Sequence, residues 1–348
     1  MTNILLSEKA AARLDADIRV LFDARPYRIV TPGDTGAGLA ADIAFISRDV
    51  TGGSTKQHIE PPLSNFYAAL RAAPALRWVH THSAGADRPI FPELLLRGVT
   101  VTTSSGANAA IVAQSALGAL LALARRFGDL AAAQRRHAWR PLLDDAPRDL
   151  RGQTVMVVGY GPIGQRLCRL CEALEMKTIA VRRTRVAAEI ADITESAEIV
   201  SYAELDAHLP RADWLVLACP LTSLTLGLMD ARRLALLPVG AHLLNVARGE
   251  VVIEADLIAA LRAGRLAGAY LDVFETEPLA NESPLWDFPR VIVSPHSAGH
   301  SSSNYEAVAR RWLDNLARWL RGAPLLNGVA PPALPHDPLP HDPLTACE

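Results

Sequence analysis

Short apolar runs rich in β-branched residues alternate with longer segments of helical periodicity along most of the chain. This alternation is typical of strand–helix–strand units, which build parallel sheets in α/β proteins. The first series of predicted strands covers 18–22, 27–30, 43–46, 78–80 and 99–102, with a helix over 64–73. The sequence therefore predicts a first open, doubly wound parallel sheet.

A second alternating series follows a long apolar helix predicted over 108–126. Its predicted strands are 154–158, 178–181, 214–217, 242–246, 268–273 and 291–293. A last amphipathic helix over 303–320 places Val308, Trp312 and Leu316 on one face and has Gly322 as a C-cap. We therefore predict the α/β class with two Rossmann-like doubly wound domains, and a last helix able to pack back on the first sheet.

Two segments stand apart from this pattern. Residues 109–124 are apolar nearly all round, but they are fewer than the ~20 residues that span a bilayer, and Gln114 interrupts them. Such a helix is typically buried in a core or a subunit interface. Residues 329–348 are rich in proline and contain the unit PHDPL twice. We predict a disordered tail there; the alternative is a polyproline segment that binds a partner.

Composition and charge exclude several classes of protein. The 35 Lys and Arg against 37 Asp and Glu leave no cationic surplus for nucleic acid. Four cysteines are too few for a secreted disulfide scaffold, and charges precede any apolar stretch of signal-peptide length. We therefore expect a cytoplasmic protein that binds neither nucleic acid nor membrane. Cys168 and Cys171 form C-x-x-C inside a predicted helix, which favours two buried thiols over a metal or redox site.

A glycine motif follows the first strand of the second series. The strand 154–158 leads directly into G-x-G-x-x-G, formed by Gly159, Gly161 and Gly164, and then into a helix. In a dinucleotide fold the first glycine permits a tight turn, the second lets the backbone approach a pyrophosphate, and the third lets helix and strand pack closely. The pattern predicts a dinucleotide cofactor, with its phosphates at the helix N-terminus.

The end of the next strand bears on the choice of cofactor. Dinucleotide folds specific for NAD place an acidic residue there, about 20 residues past the first glycine, to bind the ribose 2′-hydroxyl. This chain has Arg182, Arg183 and Arg185 instead. Guanidinium groups bind a 2′-phosphate, so the sequence predicts NADPH in preference to NADH; the alternative is a solvated basic strand end.

Three further segments each follow a strand of the second series: LLNVARGE, LDVFETEPL and VIVSPHSAG. The carboxyl ends of such strands face the ligand crevice, so Arg248, Glu277 and His296 are expected to converge there. Hydride transfer to a 2-oxo acid creates an alkoxide that needs a proton. His296 can donate it, Glu277 favours the imidazolium, and Arg248 can bind the substrate carboxylate and polarise the carbonyl.

The motifs GYGPIG, NVARG, DVFETEPL, SPHSAG and the earlier SAGAD resemble those of the D-isomer-specific 2-hydroxyacid dehydrogenases over roughly residues 1–328. The arginines after the second strand resemble those of the NADPH-dependent glyoxylate and hydroxypyruvate reductases. The resemblance implies that Arg248, Glu277 and His296 are the catalytic triad and that Asp272 contacts the nicotinamide carboxamide. It also implies that Ser83, Ala84 and Gly85 bind the substrate carboxylate. Further implied cofactor contacts are Tyr160, Pro162, Ile163, Cys219, Pro220, Thr225, Val246, Ala247 and Gly299.

The same resemblance implies the domain plan and the assembly. A flavodoxin-like substrate-binding domain would comprise 1–101 and 295–328, and a dinucleotide-binding domain would comprise 102–294. A homodimer through the nucleotide domain is implied, with Trp139 reaching the partner's pocket; ordinary packing of Trp139 is the alternative. Gln114 departs from the glutamate that many members carry there.

Other residues and other functions compete with these assignments. His80 and His82 precede the SAGAD loop and are alternative proton donors, while His300 is interpreted as a neighbour of His296. Arg48 is predicted either to reach a distal group of the substrate or to be a surface arginine. A formate dehydrogenase of this fold pairs its histidine with glutamine, which Glu277 argues against. A phosphite dehydrogenase and a non-enzymatic NAD(P)-sensing scaffold remain alternative functions.

Overall fold

The computed structural model describes residues 1–33, 40–143, 146–183 and 197–330. These residues form two compact units that interleave along the chain. The first unit comprises, among the described residues, Met1–Ser54, Ile59–Ser104 and 309–330. The second comprises Thr55–His58 and Ser105–Val308. Each unit is built on its own parallel sheet.

The first unit contains a five-stranded sheet in the order β2-β1-β3-β4-β5, with every pair parallel. Its strands are β1 (Thr2–Leu5), β2 (Tyr27–Val30), β3 (Ile43–Ile46), β4 (Trp78–Thr81) and β5 (Thr100–Thr103). Its first helices are α1 (Glu8–Phe22), α2 (Arg48–Thr51), α3 (Pro61–Arg71) and α4 (Ile90–Leu96). Strand β3 is buried along its whole length, because helices cover both faces of a doubly wound sheet.

The register of β3 against β4 positions two loops of the first unit. Ile43 pairs with Trp78 and Ile46 with Thr81, so the two strands end side by side. The segments 47–54 and 82–88 therefore leave the same edge of the sheet. The amide of His82 still donates to the carbonyl of Ile46 at 2.9 Å, which continues the pairing one residue beyond β4.

The sequence prediction of a strand over 18–22 is wrong. These residues end α1, in which Ala10, Leu14, Ile18 and Phe22 recur at every fourth position and are all buried. The hydroxyl of Ser7 caps the helix by accepting the amide of Ala10 at 3.0 Å. The sheet instead begins with β1, which the sequence analysis missed.

The second unit contains a seven-stranded parallel sheet in the order β12-β11-β10-β9-β6-β7-β8. Its strands are β6 (Thr154–Val158), β7 (Lys177–Arg182), β8 (Glu198–Ser201), β9 (Trp214–Leu217), β10 (Ala241–Asn245), β11 (Leu266–Leu271) and β12 (Val291–Val293). Its helices are α5 (Ala109–Ala124), α6 (Phe127–Arg135), α7 (Pro162–Glu172), α8 (Leu205–His208), α9 (Ala231–Leu236) and α10 (Glu254–Arg262), and α11 (Asn304–Leu320) begins here. The two predicted α/β sheets are confirmed, whereas β8 was not foreseen.

The chain reverses direction across the second sheet at β6, which has β7 on one side and β9 on the other. In open α/β sheets ligands bind beyond the carboxyl ends of the strands at this switch point. The glycine motif follows β6 directly, and the loop at Cys219 follows β9. The topology therefore brings these two segments to one place.

Helix α5 is buried as predicted, with Ala113, Ala116 and Leu120 fully covered in a core on one face of the second sheet. Within the described ranges no single helix has the length and apolarity to cross a bilayer, although α5 and α6 pass that test as a pair bent by 67°. Cys168 and Cys171 are buried, unpaired thiols in α7. The part of the chain that the structure describes contains no cluster of side chains suited to a metal ion.

The units divide at other positions than the sequence analysis expected. The boundaries fall after Ser104 and after Val308, and 55–58 belongs to the second unit. Residues 295–308 stay with the second unit because Asp272 holds the start of this segment, as described below. The chain is anchored as far as Val329, whose amide donates to the carbonyl of Val101 at 2.8 Å. The predicted tail from 331 onward lies outside the described residues.

Candidate active site

The glycine motif forms a turn that only glycine fits at two positions. Gly159 has a φ of +106°, and a Cβ there would lie 2.6 Å from the amide nitrogen of Cys219. A Cβ on Gly164 would lie 2.1 Å from the carbonyl oxygen of Gly159. Gly161, in contrast, faces open space, with no atom within 4 Å of an added Cβ. Gly159 and Gly164 are thus closely packed, whereas a ligand can approach the backbone at Gly161.

This opening fits the diphosphate of a dinucleotide. Gly161 is the N-cap of α7, and Pro162 follows it as the first helical residue. The amides of Ile163 and Gly164 donate to no acceptor in the described chain, as is usual in the first turn of a helix. Free amides and the positive end of the helix dipole favour an anion here.

Arg182 ends β7, half-buried and in register with Ser201 of β8, and Arg183 follows it and is exposed. The first acidic residue after them that the structure describes is Glu198. Arg185 lies outside the described residues. The strand end therefore presents two guanidinium groups where NAD-specific folds place a carboxylate.

Asp272 organises the loop after β12. Its Oδ1 accepts hydrogen bonds from the amides of Ser297 at 2.7 Å and Ala298 at 2.9 Å, and from the hydroxyl of Ser294 at 2.5 Å. Burial raises the pKa of Asp272 above its ordinary value, although these hydrogen bonds oppose that shift. The carbonyl of Asp272 also accepts the amide of His296 at 2.8 Å. The backbone around His296 is thus fixed to the second sheet.

Arg248 is positioned by the turn after β10. The buried side chain of Asn245 donates to the carbonyl of Arg248 at 2.9 Å and accepts the amide of Ala247 at 3.0 Å. Gly249 packs so closely against the next loop that a Cβ would lie 1.8 Å from the carbonyl carbon of Phe274. This contact joins the segment carrying Arg248 to the segment carrying Glu277.

His296 and Glu277 form a hydrogen-bonded pair. Nδ1 of His296 lies 2.9 Å from Oε2 of Glu277, and Oε1 of Glu277 accepts the amide of Phe274 at 3.2 Å. Burial raises the pKa of Glu277, but the hydrogen bond and charge of His296, the Phe274 amide and the charge of Arg248 outweigh it and lower the pKa. Glu277 is therefore a carboxylate at neutral pH.

The backbone of His296 lies in the left-handed region, with a φ of +51°. Few residues other than glycine adopt this conformation, and it is found repeatedly at functional sites. Its side chain is 51% exposed, whereas that of Glu277 is 21% exposed. The imidazole is thus held from one side through Nδ1 and open to solvent on the other.

The competing histidines differ from His296. His80 is fully buried in the first unit, with Nδ1 at 2.7 Å from the hydroxyl of Thr102 and Nε2 at 2.9 Å from that of Ser104. Burial, and then the charge of Arg311, lower its pKa to about 3, so at neutral pH it is a neutral imidazole and not the charged acid that a proton donor requires. His82 contacts the hydroxyl of Thr51 at 2.9 Å, and His300 is exposed in the loop after His296.

Several predicted residues lie elsewhere. Ser83, Ala84 and Gly85 belong to the first unit, in the loop after β4, and the amides of Ala84 and Gly85 donate to no other described residue. Trp139 is 97% exposed, so packing in the core is excluded. The remaining predicted cofactor contacts are spread over loops at the carboxyl ends of the strands of the second unit: Tyr160, Cys219, Pro220, Thr225, Val246, Ala247 and Gly299.

The sequence analysis missed two charged contacts near these segments. Nζ of Lys56 lies 2.6 Å from Oε1 of Glu250, two residues after Arg248. Arg88 donates to the carbonyl of Ser54 at 2.6 Å. Neither pair follows from periodicity, because the partners are far apart in sequence or are a backbone group.

Comparison with known proteins assigns the family. The model of the D-isomer specific 2-hydroxyacid dehydrogenase NAD binding domain matches residues 117–298, which is more than half of the chain. The chain belongs to the D-isomer specific 2-hydroxyacid dehydrogenase family. It is therefore an NAD(P)-dependent oxidoreductase that acts on CH–OH donors. The family and fold inferred from its motifs are confirmed.

Three similar proteins illustrate the relationship. This dehydrogenase is 33% identical over 267 residues to the glyoxylate reductase of Thermofilum pendens, covering 76% of each chain. A D-isomer specific 2-hydroxyacid dehydrogenase from Xanthobacter autotrophicus, solved with NADPH and MES, has a TM-score of 0.74, 30% identity, and coverage of 95% of this chain and 98% of its own. An NADPH-dependent glyoxylate/hydroxypyruvate reductase from Sinorhizobium meliloti, solved with NADP and sulfate, has a TM-score of 0.74, 27% identity, and coverage of 94% and 98%.

Proposed function

We propose that this dehydrogenase reduces a small 2-oxo acid of the glyoxylate or hydroxypyruvate type to the D-2-hydroxy acid, with NADPH as reductant. The observation that carries the proposal is the contact of 2.9 Å between His296 and Glu277, with the imidazole half exposed. A carboxylate on Nδ1 accepts its N–H and fixes the ring, so that Nε2 is the nitrogen left to exchange a proton with the substrate. The names of the relatives from Thermofilum and Sinorhizobium agree with this substrate class.

The reaction requires one hydride and one proton. The bound nicotinamide supplies the hydride to the oxo carbon, and the carbonyl oxygen then carries the negative charge. In the proposal, Nε2 of His296 gives this oxygen its proton while Glu277, a carboxylate at neutral pH, stabilises the imidazolium. The products are the 2-hydroxy acid and NADP⁺, and the histidine is reprotonated from solvent.

The substrate carboxylate is assigned to Arg248 and to the loop 83–85. A planar guanidinium binds a carboxylate through two parallel hydrogen bonds, and it also polarises the adjacent carbonyl. The unengaged amides of Ala84 and Gly85 are suited to the same anion. The first unit would then be the substrate-binding domain and the second the dinucleotide-binding domain.

The preference for NADPH rests on the strand end at Arg182 and Arg183. Two guanidinium groups at this position favour a 2′-phosphate, and a carboxylate would repel it. The relatives from Xanthobacter and Sinorhizobium, whose solved structures contain NADPH and NADP, are consistent with this assignment. Asp272, with its buried oxygen beside the His296 loop, remains the candidate for the nicotinamide carboxamide.

The proposal includes a cytoplasmic homodimer formed through the dinucleotide-binding unit. Trp139 and Leu143 are 97% and 79% exposed, and large exposed apolar side chains often mark an interface. Trp139 is proposed to contact the substrate site of the partner. The three described cysteines are unpaired, as expected in a reducing compartment.

The test compares His296→Gln with His300→Gln, a matched change of an exposed histidine in the same loop. Turnover of glyoxylate and hydroxypyruvate with NADPH should fall about 10²- to 10⁴-fold in His296→Gln, the range typical of a lost general acid. Calorimetric NADPH affinity should stay close to wild type in both variants. Equal turnover of His296→Gln and wild type would show that another group donates the proton.

The substrate class is tested separately with the wild-type protein. Initial rates are measured for glyoxylate, hydroxypyruvate, pyruvate and phenylpyruvate, each with NADPH and NADH, and for phosphite with NADP⁺ and NAD⁺. Turnover of the small 2-oxo acids supports the proposal. Binding of NADPH without turnover of any oxo acid would indicate a sensing scaffold, and turnover of phosphite alone would indicate a phosphite dehydrogenase.

A further inference from the structure

Two arginines of the first unit lie at the edge of the sheet where β3 and β4 end. Arg48 is the first residue of α2, immediately after β3, and its side chain is exposed. Arg88 lies in the segment after β4, just before α4, and is half-buried. Neither residue belongs to the triad.

Backbone pairing places these arginines beside the loop 83–85. Ile46 pairs with Thr81, and the amide of His82 donates to the carbonyl of Ile46 at 2.9 Å. Two residues beyond that pair, Arg48 and Ser83 leave neighbouring strands, which in a sheet are about 4.8 Å apart. The side chain of His82 also contacts the hydroxyl of Thr51, in the last position of α2, at 2.9 Å. Helix α2 is thus tied directly to the loop proposed to bind the substrate carboxylate.

The guanidinium of Arg88 is oriented by the protein but incompletely satisfied. Its Nη2 donates to the carbonyl of Ser54 at 2.6 Å, and the side chain also contacts the hydroxyl of buried Tyr67. Its Nη1 is buried and has no hydrogen-bond partner among the described residues. Buried charged donors rarely lack an acceptor unless a ligand supplies one.

The charges of Arg48 and Arg88 oppose each other. Arg48 is exposed as a residue, but partial burial of its guanidinium lowers its pKa, and the positive charge of Arg88 lowers it further. The acid that follows, Asp49, accepts a hydrogen bond from the hydroxyl of Ser47 at 2.7 Å. Two like charges near each other are destabilising until an anion neutralises them. An anion that contacts both guanidinium groups would relieve their mutual repulsion.

We propose that Arg48 and Arg88 bind a second carboxylate of the substrate, so that among 2-oxo acids of equal chain length this dehydrogenase prefers those with a far carboxylate to those with an uncharged end. The inference rests on the proposed 2-oxo acid reduction. The first carboxylate would be bound by the amides of Ala84 and Gly85, which belong to the same unit as Arg48 and Arg88. The far carboxylate supplies the acceptor for Nη1 of Arg88 and the counter-charge for Arg48, in the planar geometry that a guanidinium binds best.

The experiment compares substrates of equal length that differ in one group. The value of kcat/KM with NADPH is measured for 2-oxoglutarate and for 2-oxopentanoate, in which a methyl group replaces the far carboxylate. The readout is the ratio of the two values, in wild type, Arg48→Gln, Arg48→Lys and Arg88→Lys. Arg19→Gln is the matched control, because Arg19 is an exposed arginine of the same unit paired with Asp15.

The wild-type ratio should favour 2-oxoglutarate by about 10- to 100-fold, the worth of one or two charge-assisted hydrogen bonds. Arg48→Gln should lower this ratio at least about tenfold, Arg48→Lys and Arg88→Lys should lower it less, and Arg19→Gln should leave it unchanged. Because the readout is a ratio, a partly unfolded preparation does not change it.

Each failure has its own signature. A wild-type ratio near one, or a ratio that Arg48→Gln does not change, would overturn the dicarboxylate site while leaving 2-oxo acid reduction intact. Absence of turnover with both substrates and also with glyoxylate and hydroxypyruvate would instead contradict the proposed function. In a third arm, inorganic phosphate is added during reduction of 2-oxopentanoate. An effect of phosphate that Arg48→Gln abolishes, together with a wild-type ratio near one, would assign the arginines to a free anion and overturn the substrate proposal.

Discussion

This protein should lose stability between pH 7 and pH 5, and replacing His80 by asparagine should abolish much of that loss. Four hydrogen bonds run in one direction through the buried ring. Nε1 of Trp78 donates to the hydroxyl of Thr102 at 2.8 Å, which leaves that hydroxyl to donate to Nδ1 of His80 at 2.7 Å. Nε2 of His80 then donates to the hydroxyl of Ser104 at 2.9 Å, and Ser104 donates to the carbonyl of Thr81 at 3.1 Å. The ring is therefore neutral, with its hydrogen on Nε2.

The magnitude follows from proton linkage. Burial and the charges of Arg311 and His82 lower the pKa of His80 to about 3 from its ordinary 6.5. As pH falls through 6.5 the unfolded chain takes up a proton that the folded protein does not bind until about pH 3, so the folded state loses stability. At pH 5 this single uptake amounts to about 2 kcal/mol.

The assay is urea unfolding followed by tryptophan fluorescence at pH 7 and pH 5. The measured quantity is the change in unfolding free energy between the two pH values, in wild type and His80→Asn. His242→Asn serves as a comparison from the second unit, because burial and the charges of Arg290 and Arg148 lower the pKa of His242 to about 4. Nitrogen NMR of the His80 ring should show an unchanged Nε2–H tautomer from pH 8 to pH 5. A ring that titrates near pH 6.5, or an equal loss of stability in His80→Asn and wild type, would refute the reasoning.

Three further predictions concern the second unit. The double variant Arg182→Ala, Arg183→Ala should bind NADPH at least about tenfold more weakly and NADH almost as well as wild type, because only NADPH carries the phosphate. Calorimetry measures both affinities, and an equal loss for the two cofactors would contradict the assignment. Gly249→Ala should lower Tm by several degrees, since its Cβ would meet the backbone of Phe274 at 1.8 Å. Gly161→Ala should leave Tm unchanged but weaken NADPH binding. A lower Tm for Gly161→Ala together with an unchanged Tm for Gly249→Ala would contradict both interpretations. Burial raises the pKa of Cys168 and raises that of Cys171 to about 12, so iodoacetamide at pH 8 should modify their peptide in urea but not in the folded protein.

The candidate site was predictable where chemistry is tied to strand ends. Arg248, Glu277 and His296 each follow a strand of one parallel sheet, and parallel strands bring their carboxyl ends to one edge. The sequence could therefore place Glu277 beside His296 before the contact of 2.9 Å was known. The glycines of the motif were predictable for the same reason, because their spacing reflects a local turn.

Other features depend on contacts that periodicity does not encode. The apolar run at 18–22 was assigned to a strand because five residues show too little of the helical repeat; its buried positions belong to a pattern that starts at Ala10. The neutral state of His80 depends on Thr102 and Ser104, which lie on the neighbouring strand or just after it. That Nη1 of Arg88 has no hydrogen-bond partner among the described residues becomes known only when the contact of Nη2 with the carbonyl of Ser54 is known. Long-range pairing of polar groups thus remained beyond the sequence.

The left-handed backbone at His296 bears on how this lineage can evolve. At a φ of +51°, asparagine and glycine fit at least as well as histidine, so mutations that remove the imidazole need not destabilise the fold. Catalysis is then maintained by selection for turnover alone, not by selection for a folded chain. Relatives that acquire non-enzymatic roles could therefore lose the proton donor in a single substitution and keep an intact nucleotide-binding unit, which is an accessible route to pseudoenzymes on this scaffold.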